Sequence, residues 1–268
     1  MNNQPIGIFD SGIGGLTVAR AINKLMPYET LIYFGDTAHT PWGNQSSQAI
    51  SQYCTQITEV LLEHHCKTIV IACNTASSSA VSAVESKVAG LSIPVVNVID
   101  PSVEYICNNY KNKKIGIIGT KRTIKSDEYA KRIHHRDKNI QVVSKATPLL
   151  APLIEENYLT SPALEYILQD YLSDHLLADI DALILGCTHY PLIKDNIENY
   201  FKNHLKTVEV LDSASIVADE VKKLLTNHEL LSTNKLLPRH QFLVSHDHSF
   251  FNETAKKFFQ NDIELKDY

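Results

Sequence analysis

Short apolar runs bounded by polar or turn-forming residues recur along most of the chain: "PIGIFD", "TLIYFGD", "KTIVIACN", "PVVNVID", "KIGIIGT", "DALILGC" and "VEVLDSA". Several are uninterrupted rather than alternating, the mark of strands buried on both faces. Helical periods lie between them. In "SSQAISQYCTQITEVLLEHH" the apolar positions Ile50, Cys54, Ile57 and Leu61 share one face, and in "PSVEYICNNY" so do Val103, Ile106, Cys107 and Tyr110. Strand–helix alternation predicts parallel sheets wrapped by helices, an α/β fold whose functional residues gather at the carboxyl ends of the strands.

The polar residues do gather there. Strand ends fall at Asp10-Ser11, Asp36-Thr37, Cys73-Asn74-Thr75, Gly119-Thr120 and Cys187-Thr188-His189. Two of them share a grammar: "TIVIACNTAS" and "ALILGCTHYP" each run from an apolar strand through a small residue to Cys and then Thr. The openings "IGIFDSG" and "IGIIGTK" are also alike. This pattern predicts two similar domains, each a mainly parallel sheet flanked by helices. They would be related by a pseudo-twofold axis, each giving one thiol to a site between them. The expected division is residues 1–98 with 209–268 for the first domain and 99–208 for the second.

Composition narrows the chemistry. The 268 residues are 44% hydrophobic and 21% charged, ordinary for a globular protein of one large or two small domains. A formal net charge of −5 gives no basic field for nucleic acid or anionic membrane. No apolar run is long enough for a bilayer span. The opening "MNNQPIGIFD" has neither a basic segment nor an apolar signal core, which argues against export. The five cysteines, Cys54, Cys66, Cys73, Cys107 and Cys187, are odd in number and contain no CxxC, so free thiols in a reducing cytoplasm are expected.

Free cysteine is usually core packing, the expectation for Cys54 and Cys107 on their helical faces. Cys66 falls at a helix–strand junction without chemical neighbours. Cys73 and Cys187 differ, because each stands just past a strand, where amide dipoles at a helix N-terminus favour thiolate. A cysteine phosphatase would need an arginine in "CNTASSS" or "CTHYPLI". A cysteine hydrolase would use one thiol and a distant histidine, leaving the other thiol over. Two opposed thiols suit proton removal from one face of a carbon and return to the other, which is racemisation or epimerisation. The glycines of "FDSGIGGLTV" match neither a dinucleotide fingerprint nor a P-loop. They read as a tight turn that lets backbone approach a small ligand, with Asp10 facing the cleft.

With these motifs the chain resembles the glutamate racemases of the aspartate/glutamate racemase family. The matching segments are "GIFDSGIGGLTV", "YFGDTAHTPWG", "IACNTAS", Gly119-Thr120, "PLLAPLIEE" and "LGCTHYPL". The resemblance implies two α/β domains closing over an amino acid and cofactor-independent interconversion of L- and D-glutamate. It also implies a cytoplasmic homodimer supplying D-glutamate for bacterial peptidoglycan, with no metal, nucleic-acid or membrane partner. It assigns Cys73 and Cys187 as the two acid/base residues, with Asp10 assisting the first and Glu155 and His189 the second. Substrate would be held by Asp10-Ser11, Trp42-Gly43, Asn74-Thr75, Thr120 and Thr188-His189. Two positions depart from the family pattern: Trp42 stands where Tyr is usual, and Thr147 where many members have Cys.

Simpler readings stand beside these roles. His189 is also placed to cap a following helix, Asp36 to hold a turn through its carboxylate, and Glu155 beside Glu156 to form a solvated helix end. The cluster "SHDHS" around His246 and His248 reads as surface rather than metal site. An aspartate racemase, or a two-lobed amino-acid-binding module without catalysis, remains an alternative, although binding alone needs no paired thiols.

Overall fold

A computed structural model of the chain describes residues 2–204, 206–246, 249–259 and 263–268. The strands are β1 (Ile6–Asp10), β2 (Leu31–Gly35), β3 (Thr68–Ile71), β4 (Val95–Asn97), β5 (Lys114–Gly119), β6 (Gln141–Ala146), β7 (Ala182–Gly186), β8 (Glu209–Leu211), β9 (His240–Val244) and β10 (Ile263–Asp267). They form a six-stranded sheet of order β10-β9-β2-β1-β3-β4 and a four-stranded sheet of order β6-β5-β7-β8. Every pairing is parallel. The order β2-β1-β3-β4 repeats as β6-β5-β7-β8, so β3 with Cys73 at its end corresponds to β7 with Cys187 at its end. The two-sheet α/β architecture expected from the apolar runs is the one observed.

One expected boundary is corrected. β8 pairs with β7, Glu209 opposite Ala182 and Leu211 opposite Ile184. Residues 209–211 therefore belong to the second sheet, and the chain leaves it only at Asp212. A three-residue run such as "EVL" is equally apolar whichever sheet takes it, so its sequence carries no address.

Parallel strands need crossover helices, and these build the core. Helix Ser47–Glu63 begins at Ser46, whose Oγ accepts from the Ala49 amide at 3.1 Å, a cap worth about 1 kcal/mol. Its buried face, Ile50, Cys54, Ile57 and Leu61, covers the outer side of the first sheet; each fully buried Ile or Leu contributes about 1.5–3 kcal/mol. Helices Leu150–Glu155, Pro162–Leu172 and Lys194–Asn203 cover the second sheet in the same way. The largest apolar cluster is shared. It joins Ile8 and Val70 of the first sheet to Ile117 and Ile184 of the second through Val103 and Ile106 of helix Ile99–Asn109 and Val217 and Val221 of helix Ser213–Asn227. The two helices that carry the chain between sheets thus tie the halves together beneath the strand ends.

The segment after Leu230 adds β9 and β10 to the β2 edge of the first sheet. A buried ion pair anchors its start. Lys67 Nζ lies 2.6 Å from Glu29 Oε2 and also donates to the carbonyls of Asn2 and Leu230, while Glu29 Oε1 accepts from the Ser232 amide.

Candidate active site

The sharp turn after β1 is built around Asp10. Its Oδ2 accepts from the amides of Gly12 (3.1 Å) and Gly15 (3.0 Å), and its Oδ1 accepts from the Thr188 hydroxyl of the other half at 3.2 Å. A Cβ on Gly15 would lie 2.5 Å from Asp10 Cβ, and one on Gly14 would lie 2.5 Å from Thr188 Oγ1 and 2.6 Å from His189 Nδ1. The glycines therefore make room for protein, not for ligand, because the two halves touch here. Thr17 seals the contact by donating to the Gly14 and Thr188 carbonyls. Asp10 is wholly buried and is not among the residues that line the cavity, although Thr188, which donates to it, is; its three hydrogen-bond partners are the two turn amides and the Thr188 hydroxyl.

The remaining predicted residues come together. Ser11, Trp42, Gly43, Cys73, Asn74, Thr75, Thr120, Glu155, Cys187, Thr188 and His189 line one cavity between the strand ends of the two sheets, with Pro41 and Ala151 completing the wall. The cavity is about 30 Å³, the room of a single water. Thr75 and Thr120 close it across the halves with hydroxyls 3.1 Å apart, and a Cβ on Gly43 would meet Thr120 Cβ at 2.9 Å.

The surroundings of the two thiols differ. Cys73 ends the extended segment after β3 and precedes the short helix Asn74–Ser77. Its Sγ is 3.8 Å from Ser11 Oγ. Burial pushes this thiol well above its ordinary pKa, the Asp10 carboxylate and the Cys187 sulfur adding to the effect; the Ala76 amide and the Ser11 hydroxyl pull the other way. The expectation that helix amides would favour thiolate is thus outweighed here, since desolvation penalises charge more than one amide repays. Cys187 Sγ instead lies 3.5 Å from His189 Nδ1, and His189 Nε2 is 2.9 Å from Glu155 Oε1. Burial works against the imidazolium, but the Cys187 sulfur and the Glu155 carboxylate prevail and hold His189 well above the usual histidine range. His189 makes no side-chain cap to the turn Tyr190–Ile193, so the capping alternative is set aside. Glu155 is engaged, not a solvated helix end.

Asp36 does hold a turn. Its carboxylate accepts from Trp42 Nε1 at 3.0 Å and from Ser245 Oγ at 2.8 Å and lies 2.8 Å from His39 Nδ1. Trp42, 1% exposed, packs its indole near Tyr53. Thr147, the other departure, is buried with its hydroxyl 2.7 Å from Tyr190 Oη. Cys54 and Cys66 are buried, and burial lifts the Cys66 thiol to about 12; Cys107 is only half-buried. In the "SHDHS" cluster, His246 bonds Thr37 through its backbone, while Asp247 and His248 lie outside the described residues. Among the described residues no group of three or more His, Cys, Asp or Glu is arranged to hold a metal ion, and no helix is long and apolar enough to cross a membrane. Sequence reasoning missed Tyr129, whose hydroxyl donates to Asn74 Oδ1 from the opposite half at 2.6 Å; within its helix it looks like ordinary core.

Known proteins share this fold. The Asp/Glu/Hydantoin racemase family matches residues 15–221. The chain belongs to that family, and it is an isomerase, an amino-acid racemase. Its similarity lies with the glutamate racemases. The protein of that name from Chlorobium phaeobacteroides is 44% identical over 97% of this chain and 94% of its own length. The one from Neisseria meningitidis serogroup C is 39% identical over 97% and 94%. The crystal structure of glutamate racemase from Francisella tularensis in complex with D-glutamate superposes with a TM-score of 0.90 at 35% identity, covering 100% of this chain and 98% of that one.

Proposed function

We propose that this racemase interconverts L- and D-glutamate without a cofactor by a two-base mechanism in which Cys73 and Cys187 exchange protons with the α-carbon, and that its D-glutamate serves bacterial peptidoglycan synthesis. The observation that carries the mechanism is that two thiols from corresponding strand ends line one cavity. The substrate follows from the relatives named glutamate racemase. Five free cysteines fit a cytoplasmic setting.

In one direction the Cys73 thiolate takes the α-proton; the electron pair left on Cα spreads into the neighbouring carboxylate, and the Cys187 thiol delivers its proton to the opposite face. In the reverse direction the roles exchange. An α-proton beside a carboxylate is a very weak acid, so the developing charge must be met by fixed donors with water excluded. Asn74 Nδ2 and the hydroxyls of Ser11 and Thr75 are the donors at hand, the Thr188 hydroxyl being committed to Asp10. His189, backed by Glu155, manages the proton on Cys187; Asp10 acts on Cys73 through its charge and holds the turn against Thr188. The cavity is smaller than any amino acid, so substrate is admitted by the halves parting about the helices that link them.

Deuterated water tests this reading. Early turnover of L-glutamate should place solvent deuterium in the D-glutamate formed while the remaining L-glutamate stays largely protiated, and D-glutamate should behave in mirror image, with aspartate turned over much more slowly. Early label in both enantiomers would indicate one base serving both faces and overturn the mechanism. Equal or faster turnover of aspartate would overturn the substrate.

A further inference from the structure

Asn74 is 2% exposed and lines the cleft, yet its two amide atoms have different fates. Oδ1 accepts a 2.6 Å hydrogen bond from the hydroxyl of Tyr129. Nδ2 is buried and makes no hydrogen bond among the described residues. A buried amide NH₂ without a partner is costly, and native structures keep such groups where a ligand satisfies them or where strain is put to use. Free to turn about its last torsion, an asparagine would exchange its two ends, presenting a carbonyl where a donor is wanted.

Tyr129 prevents that exchange. It sits on helix Glu128–Arg136, which follows β5 of the four-stranded sheet, whereas Asn74 follows β3 of the six-stranded sheet. The tyrosine is 3% exposed and belongs to the apolar cluster shared by the halves, so its ring is fixed by packing. Its hydroxyl donates to Asn74 Oδ1, and the Ser102 side chain hydrogen-bonds the same phenol. The amide is therefore oriented by a group from the facing half, and only while the halves are together.

We infer that Tyr129 is a positioning residue for racemisation: by donating to Asn74 Oδ1 across the two halves, it turns the Asn74 NH₂ towards the substrate as a hydrogen-bond donor for a carboxylate oxygen. The inference rests on the proposed glutamate reading for its substrate, but the joint itself is a property of the protein. It couples closure to recognition. When the halves part, Asn74 loses its orientation; when they close, the donor is set.

The experiment is a double-mutant cycle on the full-length protein with Tyr129→Phe, Asn74→Ala and the combination, following racemisation of L- and D-glutamate. Tyr129→Phe keeps the ring and removes only the hydroxyl. We expect kcat/KM to fall about tenfold, mostly through KM, as for loss of a binding interaction felt equally in ground and transition states. Asn74→Ala should cost more, and the double variant should be no worse than Asn74→Ala, because without the amide the hydroxyl has nothing to orient. Additive losses, or a folded Tyr129→Phe with unchanged KM, would overturn the inference. A readout that needs no substrate runs alongside: the Asn74 side-chain amide resonances of free protein should shift and broaden in Tyr129→Phe, and an unchanged spectrum would overturn the joint. Wild-type protein inactive on glutamate would sink the substrate reading, and those resonances would still decide the joint.

Discussion

Cys73 and Cys187 end corresponding strands of two sheets with the same strand order, yet they are served differently. Cys73 faces a serine hydroxyl and the charge of a buried aspartate whose hydrogen bonds are all spent on the turn and on Thr188. Cys187 touches an imidazole backed by a carboxylate. One thiol has a neutral neighbour and an unfavourable field; the other has a titrating partner. Similar backbones have fixed where the thiols stand, while the residues around each strand end give each sulfur a different partner.

That asymmetry has a limit set by thermodynamics. The L and D enantiomers have equal free energy in water, so kcat/KM must be the same in both directions for any variant. A difference between the two ends is therefore visible in kcat and KM taken separately, in label partitioning and in the pKa of neighbouring groups, never in a one-sided loss of kcat/KM. The largest effect expected is from Cys73→Ala and from Cys187→Ala. Each should lower kcat/KM for both enantiomers by about 100- to 10,000-fold, the usual contribution of a positioned acid or base, in protein whose circular dichroism is unchanged. A variant retaining near-normal turnover would break the pairing of the two ends.

Much of this site was legible in the chain, and the reasons are local. A buried parallel strand is an uninterrupted apolar run, and the residue where it meets the cleft is where polarity returns; "TIVIACNT" and "ALILGCTH" carry both signals. β6 was not read because it is an edge strand, half-exposed, with polar residues inside "QVVSKA". β9 pairs with β2 some two hundred residues away, and β10 joins only through β9; nothing in either run names its neighbour. The direction of the Asp10 carboxylate, drawn to Thr188 in the other half, and the reach of Tyr129 to Asn74 are also set by contacts between halves. A single strand's pattern holds no trace of them.

A smaller effect sharpens the comparison from the Cys187 side. Glu155 favours the charged form of His189, so Glu155→Gln should lower the His189 pKa, read from its ring resonances. The sign for stability follows from linkage. A histidine whose folded pKa is raised contributes stability that is fully present below its unfolded value, about 6.5, and is lost as pH rises through the folded value. Relative to wild type, Glu155→Gln should therefore be less stable by about 1.5–3 kcal/mol near pH 6, the range for a hydrogen bond to a charged group, and the gap should narrow in alkaline buffer. Turnover should fall by roughly 100-fold for both enantiomers, the low end for a positioned acid–base group. A gap that widens with pH would mean that His189 is held neutral, and Cys187 would then lack the titrating partner that sets it apart from Cys73.

The smallest effect concerns thiols outside the cleft. Cys54 is fully buried on helix Ser47–Glu63 in the cluster that holds Trp42, Ile50 and Ile57, and burial keeps its thiol protonated, with the Asp36 charge adding to that. Cys107 is half-buried at the rim of the shared cluster, its sulfur 4.0 Å from the Ile133 carbonyl. Removing the Cys54 sulfur opens a hole that close-packed neighbours fill only in part, so Cys54→Ala should cost about 1–2 kcal/mol. Water already reaches Cys107, so Cys107→Ala should stay within about 0.5 kcal/mol. At about 2–4 °C of melting temperature per kcal/mol for a chain of this size, differential scanning calorimetry separates the two. Both folded variants should keep kcat/KM within about twofold, because neither sulfur reaches the cavity. A larger loss in folded Cys54→Ala would show that the wall behind Trp42 takes part in the reaction, and the two-thiol account of the cleft would have to admit a third.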